Sequence, residues 1–474
     1  MVFRLRNNLE DLASLKAVVH QRNVREVELV LPPETTRDFD DVFVHIFVDQ
    51  LCDVQALRLY WYSANLSPVV KLLLHPENRV AAVALHNGVL TGNDIEAITS
   101  VIKHPNNNLE RLNIENATVP GADSEMARIL GSLKHPNNRL KEFGLQSVRL
   151  SRENIDTLIE AMESSECKLE QLTLVGIPMS EPYLKAVVSA IASKRLVFLH
   201  LAFCLDDSKR TIPILDELAK ALERPDNNVE KLIVELPLNF EEVRALLAGL
   251  RSPHNRVAHL ELIDQRGVYW NTLHDDLFLA LSSPSTRMRL LKLHGPFNDD
   301  IAGAVGRALQ TPSSQLEELH ILSSFHFTDG TTEIARALQS PTNRLRILSL
   351  SVAFGALTPI RMSFRSPFNR LQELNLTCSP APSMANLLEG SAMLKTVRRS
   401  LLTKFYANFD LSFSKAYSSR WSLVLYVLMS VGTVPRLGQK SSFRLLPMNN
   451  FILLVTETLG WPLFSLRADS RSSD

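Results

Sequence analysis

Cysteine is scarce in this chain. Four residues among 474, Cys52, Cys167, Cys204 and Cys378, lie far apart with no Cys-x-x-Cys pair, which argues against a disulfide framework and predicts free thiols in a reducing compartment. Charge of either sign is not in excess: 51 Lys and Arg face 51 Asp and Glu. That balance argues against a general binder of polyanions and predicts no nucleic-acid partner, because such binders present a basic stripe. The apolar runs near the carboxyl end, Leu423 to Met429 and Phe451 to Leu459, fall short of the roughly 18 to 20 residues of a membrane span. The start, Met1-Val2-Phe3-Arg4-Leu5-Arg6, lacks the apolar stretch of a signal peptide and predicts a cytoplasmic protein. Chemistry-bearing motifs are missing as well. No Gly-rich loop closes on Gly-Lys-Ser/Thr, and neither His-Glu-x-x-His nor Gly-x-Ser-x-Gly occurs, so the sequence predicts no catalytic residue, no metal site and no cofactor. His75, His104 and His135 recur at one place before a proline. With no thiols or carboxylates converging there, they read as solvated helix ends where a cation is favoured.

What the chain has is repetition. A junction of the form His135-Pro136-Asn137-Asn138-Arg139-Leu140 returns along most of its length. Aligning on the closing apolar residue gives Val24, Val54, Val80, Leu109, Leu140, Leu169, Leu196, Val229, Val257, Met288, Leu316, Leu345 and Leu371. Apolar residues follow three and five positions later, as in Leu109-x-x-Leu112-x-Ile114 and Leu345-x-x-Leu348-x-Leu350; that alternation predicts a short strand with one buried face. Pro and Asn before it predict a tight turn. The residues ahead of the turn have helical period, as in Ile155, Leu158, Ile159 and Met162, with Ser151 as the opening cap. One unit is therefore strand, loop, helix, turn. Strands joined through helices run parallel with a right-handed crossover.

The unit resembles a leucine-rich repeat of the long, ribonuclease-inhibitor-like kind, in which each strand is paired with a full helix, and the likeness covers residues 24–395. It implies an α/β solenoid, a curved horseshoe with a parallel inner sheet and outer helices, since strands stack about 4.8 Å apart while helices need about 8–10 Å. One departure stands out. Where that family carries Asn or Cys three residues past the last strand leucine, this chain has Ala117, Val148, Ile177, Pro237, Gln265 and Ser324, and Cys204 alone fits.

Residues 1–23 are expected to form an N-terminal helical cap over the edge of the first strand, residues 24–395 about 13 repeats, and residues 396–474 a basic, helical C-terminal cap or tail. Leu205 to Ile212 makes a longer, charged loop. In the tail, Arg398, Arg399, Arg436 and Arg444 surround the apolar runs, which predicts packing on the last repeat and allows a weak peripheral contact with an anionic membrane. The phrase Leu446-Pro447-Met448-Asn449-Asn450-Phe451-Ile452 resembles the opening of an F-box, a helical segment.

Residues flanking the two buried strand positions face the hollow of such an array, along an inner arc of roughly 60 Å, which has room for a protein. Phe198, His200, Ile233, His259, Glu261, Ile263, Leu290, Lys292, His294, His320, Leu322 and Ile347 mix large apolar with charged side chains there, the composition of a partner-binding patch. The sequence thus predicts a non-enzymatic protein-protein interaction scaffold that holds a protein partner on its concave face. The resemblance leaves two alternatives: an activator of a small GTPase, and a substrate adaptor of a ubiquitin ligase acting through the F-box-like segment.

Overall fold

The structure is a computed structural model of the chain. It describes residues 2–378 except 6–8, 21–23, 33–34, 61–65, 120–122, 178–180, 193–195, 203–213, 237–239, 265–271, 324–326 and 353–356, and beyond them the segments 404–411, 421–428, 443–448 and 451–456. The charged loop at Leu205 to Ile212 lies outside the described residues, as do Cys204, Pro237, Gln265, Ser324, Arg398, Arg399 and Arg436. The chain forms two compact units, residues 1–296 with 313–315, and residues 297–312 with 316–474.

Unit 1 alternates strands and helices: β1 (Val2–Arg4), α1 (Leu9–Val19), β2 (Glu26–Val30), α2 (Arg37–Val48), β3 (Ala56–Tyr60), α3 (Ser67–Leu74), β4 (Ala82–His86), α4 (Gly92–Lys103), β5 (Arg111–Glu115), α5 (Asp123–Ser132), β6 (Glu142–Gln146), α6 (Arg152–Glu163), β7 (Gln171–Val175), α7 (Glu181–Ala192), β8 (Phe198–Ala202), α8 (Ile214–Leu222), β9 (Lys231–Leu236), α9 (Phe240–Gly249), β10 (His259–Asp264), α10 (His274–Ser282) and β11 (Leu290–Gly295). Each strand pairs in parallel with the next, from β1 through β11. The repeated apolar residues Val24 to Met288 lie two positions ahead of strands β2 to β11, where the repeat placed them. Residues 1–23 hold more than the expected helix: β1 pairs with β2, so the first repeat's edge is met by a strand and α1 is its crossover.

The core lies between strands and helices. The inward residues of the strands are buried, and Val83 and Leu85 of β4 and Leu112 of β5 line one small apolar cavity with Leu66, Val69, Val70 and Leu73 of the α3 region and Ile98 and Val101 of α4. Helix starts are fixed locally: Ser151 Oγ accepts from the Asn154 N–H at 3.2 Å, and Thr91 and Asp94 form a reciprocal capping box.

In several repeats the turn that ends the helix rests on a buried asparagine. Asn138 is fully buried; its Oδ1 accepts from the Leu140 N–H at 3.0 Å and its Nδ2 donates to the Leu133 carbonyl at 2.8 Å. Asn107, Asn227 and Asn255 make the same pair of bonds, to Leu109 and Ile102, Val229 and Leu222, and Val257 and Leu250. One side chain thereby satisfies a helix-end carbonyl and a strand-start amide that water cannot reach. The histidines before the prolines serve the same turn. His75, His104 and His135 Nδ1 accept from the backbone N–H two residues on at 3.2–3.3 Å, as Ser164 and Ser252 Oγ do in other copies. They are turn-closing acceptors.

Unit 2 contains α11 (Asp299–Leu309), β12 (Glu318–Ser323), α12 (Asp329–Leu338), β13 (Ile347–Val352), α13 (Leu357–Ser363) and β14 (Glu373–Cys378), with β12, β13 and β14 paired in parallel. Here α11 and α12 approach closely through small residues: a Cβ on Gly306 would stand 2.6 Å from the Glu333 carbonyl carbon, and one on Gly330 2.6 Å from Ala302 Cβ.

The helical C-terminal cap is not what the described residues form. They continue as strands, β15 (Lys404–Leu411), β16 (Trp421–Leu428), β17 (Phe443–Met448) and β18 (Phe451–Thr456). β15 pairs in parallel with β14, and β16, β18 and β17 follow in antiparallel pairings. The physical reason is in the composition. Trp421-Ser422-Leu423-Val424-Leu425-Tyr426-Val427-Leu428 combines β-branched and aromatic residues with no polar stripe at helical spacing, which suits a strand and not a surface helix. The F-box-like phrase falls on β17 and β18, so it lacks the helices its resemblance requires.

Candidate partner-binding face

In unit 1 the register converts alternate strand residues into rows across the sheet. Opposite the buried rows, Phe198, Lys231, His259 and Leu290 align, as do His200, Ile233, Glu261 and Lys292, and then Ala202, Glu235, Ile263 and His294. Nine of the residues singled out by sequence thus meet on four neighbouring strands, β8 to β11. Most are half-buried, and His294 is exposed.

Ile233 sits at the centre of this face, with His200 and Glu261 beside it in register and Lys231 and Glu235 two residues away on its own strand. Lys231 Nζ lies 4.5 Å from the centroid of the Phe198 ring, a cation–π contact, and the Phe198 and His200 rings are 6.5 Å apart. On the other side Glu261 approaches Lys292 Nζ at 3.4 Å and His259 Nε2 at 3.8 Å, the latter beyond hydrogen-bond length. His259, and then Lys292, hold the Glu261 carboxyl down at about 2 against the opposing effect of burial. Burial pushes the His200 imidazole below its usual value, against the pull of Glu235 and Glu261. The Nε2 atoms of His200 and His259 are both buried without a hydrogen-bond partner. The face is therefore an apolar centre ringed by charges that largely neutralise one another.

His320, Leu322 and Ile347 belong to unit 2. There His320 Nδ1 lies 2.8 Å from Ser349 Oγ on the paired strand, Leu322 is exposed and Ile347 is half-buried.

Two features went unread in the sequence. Lys231, two residues past Val229, stands opposite Phe198. At the start of unit 1, Tyr60, His86 and Glu115 align; the Tyr60 and His86 rings stack at 4.9 Å and His86 Nδ1 lies 2.8 Å from Glu115 Oε2. Both depend on the register between neighbouring strands. A separate cavity of about 580 Å³ opens at the strand starts of unit 1, lined by Glu110, Arg139, Lys141, Lys168, Glu170, Val197, Asn228 and Glu230. It lies off the open face, and its Lys141 is already bonded to Glu110 at 2.9 Å.

Among the described residues no three His, Cys, Asp or Glu side chains gather as a metal site, and no helix is long and apolar enough to cross a membrane. No family model and no curated protein sequence matches this chain.

Proposed function

We propose that this chain is a non-enzymatic, ribonuclease-inhibitor-like leucine-rich-repeat protein of the cytoplasm that holds a protein partner against the open face of β8 to β11. The repeating α/β architecture is one typical of interaction scaffolds. The observation that carries the reading is that three large apolar side chains, Phe198 on β8, Ile233 on β9 and Leu290 on β11, stand on the sheet face away from the core and are left half-buried there. A partner that covers them removes apolar surface from water at about 25 cal/mol per Å². Glu261, Lys292 and Lys231 at the margins would set orientation and encounter rate rather than bulk affinity. The test is a triple replacement, Phe198→Asp with Ile233→Asp and Leu290→Asp, compared with the unaltered chain in pull-downs followed by mass spectrometry. The specific partner is expected to disappear while circular dichroism stays unchanged. Equal recovery by both chains would remove the proposed face.

A further inference from the structure

Between Glu333 and Glu373 the chain has no Asp or Glu, yet it has Arg336, Arg344, Arg346, Arg361, Arg365 and Arg370. Arg336 is spoken for by Glu333. Of the others, Arg344, Arg346 and Arg370 lie at the strand starts of unit 2 and Arg365 just past the end of α13. Arg344 and Arg370 occupy one place in successive turns, immediately before Leu345 and Leu371. The Arg346 carbonyl accepts from the Gln372 and Glu373 N–H groups at 2.7 and 2.9 Å, which seats this residue beside the start of β14. Arg365 follows α13, its N–H donating to the Met362 carbonyl at 3.1 Å. All four are exposed, and none of their side chains reaches a carboxylate among the described residues.

Two exposed apolar side chains accompany them, Phe368 at 46% and Met362 at 41% exposure. Phe368 occupies the turn position that holds Glu77, Asn106, Asn137, Asp226, His254 and Thr342 in other copies. The turn does not require an aromatic there: the Phe368 N–H donates to Ser366 Oγ at 3.2 Å, a bond any side chain permits. A ring in water at a site otherwise polar, near arginines that make no ion pair among the described residues, has the composition of a protein interface, where Phe, Met and Arg are enriched.

We propose that this edge, Arg344, Arg346, Arg365 and Arg370 around Phe368 and Met362, binds an acidic protein segment carrying an apolar side chain. Guanidinium forks match carboxylates in pairs, and Phe368 with Met362 supplies the apolar contact. A nucleic-acid strand fits less well. One aromatic gives no succession of stacking platforms, and a few phosphate contacts lose most of their affinity near 0.15 M salt. The surface belongs to unit 2 and does not depend on the face of β8 to β11.

The experiment measures fluorescence anisotropy with the full chain and three labelled probes: a peptide alternating Glu and Leu, the same peptide with Gln for Glu, and an oligouridylate of equal charge. The acidic peptide is expected to bind, and the Gln peptide at least about tenfold more weakly. Replacing both Arg344→Glu and Arg370→Glu should weaken the acidic peptide by a similar factor with circular dichroism unchanged, and Phe368→Ser should weaken it several-fold with the salt dependence kept. Failure of the acidic peptide to bind, indifference to the charge reversal, or tighter binding of the oligouridylate would each overturn the proposal.

Discussion

Asn138 shows how much a single side chain does in this fold. Its amide joins the Leu133 carbonyl, just past α5, to the Leu140 N–H ahead of β6, and both groups are out of reach of water. Removing it leaves a buried donor and a buried acceptor unmet, at about 1–3 kcal/mol each. Asn138→Ala is therefore expected to lower stability by about 2–6 kcal/mol in urea denaturation, whereas the exposed Asn106→Ala should stay within about 0.5 kcal/mol. The sequence showed Asn recurring before the strand but only as a turn former. Its burial and its second bond became visible once helix end and strand start were placed together. His200 supports a second residue-scale prediction. Its imidazole titrates lower in the folded chain than in the unfolded one because burial disfavours the cation. The unfolded chain thus binds more protons as pH falls below about 6.5, and the stability held at higher pH is lost progressively from there downward. A His200→Gln chain is expected to show a flatter dependence of thermal midpoint on pH across that range.

At the scale of elements, the contact of α11 with α12 is set by backbone and not by side chains. Gly306 faces the Glu333 carbonyl carbon and the Ile334 nitrogen, neither of which can turn aside as a side-chain tip could. Gly306→Ala is expected to destabilise unit 2 by about 1–3 kcal/mol through overpacking, read as a lowered thermal midpoint. Thr91→Ala, which removes the capping box of α4, should cost about 1 kcal/mol by the same measurement. Strands β2 to β14 were legible from the spacing of their apolar residues, because a strand with one buried face writes a period of two into the chain. The tail was not legible in that way. Its apolar runs carry no polar stripe to choose a period, and pairing with β14 and with one another places them as strands.

At the scale of the whole molecule, the repeats within unit 1 each pair with their immediate neighbours, so damage there is local before it is global. Asn255→Ala, at the turn before β10, is expected to speed amide exchange in β9 to β11 ahead of β4 to β6, measured by hydrogen–deuterium exchange with mass spectrometry. Balanced composition also proved compatible with uneven distribution: the chain is neutral as a whole, yet the stretch between Glu333 and Glu373 carries positive charge alone. The sequence by itself determined the repeat, the parallel order of its strands and which residues of each strand face away from the core, since periodicity and turn chemistry are local properties. Only the tertiary structure decided that Lys231 caps Phe198, that Glu261 is gripped from β10 and β11 together, and that the last segments are strands. Those outcomes depend on which residues of distant repeats stand opposite one another, and register is fixed by the stacking of the units and not within any one of them.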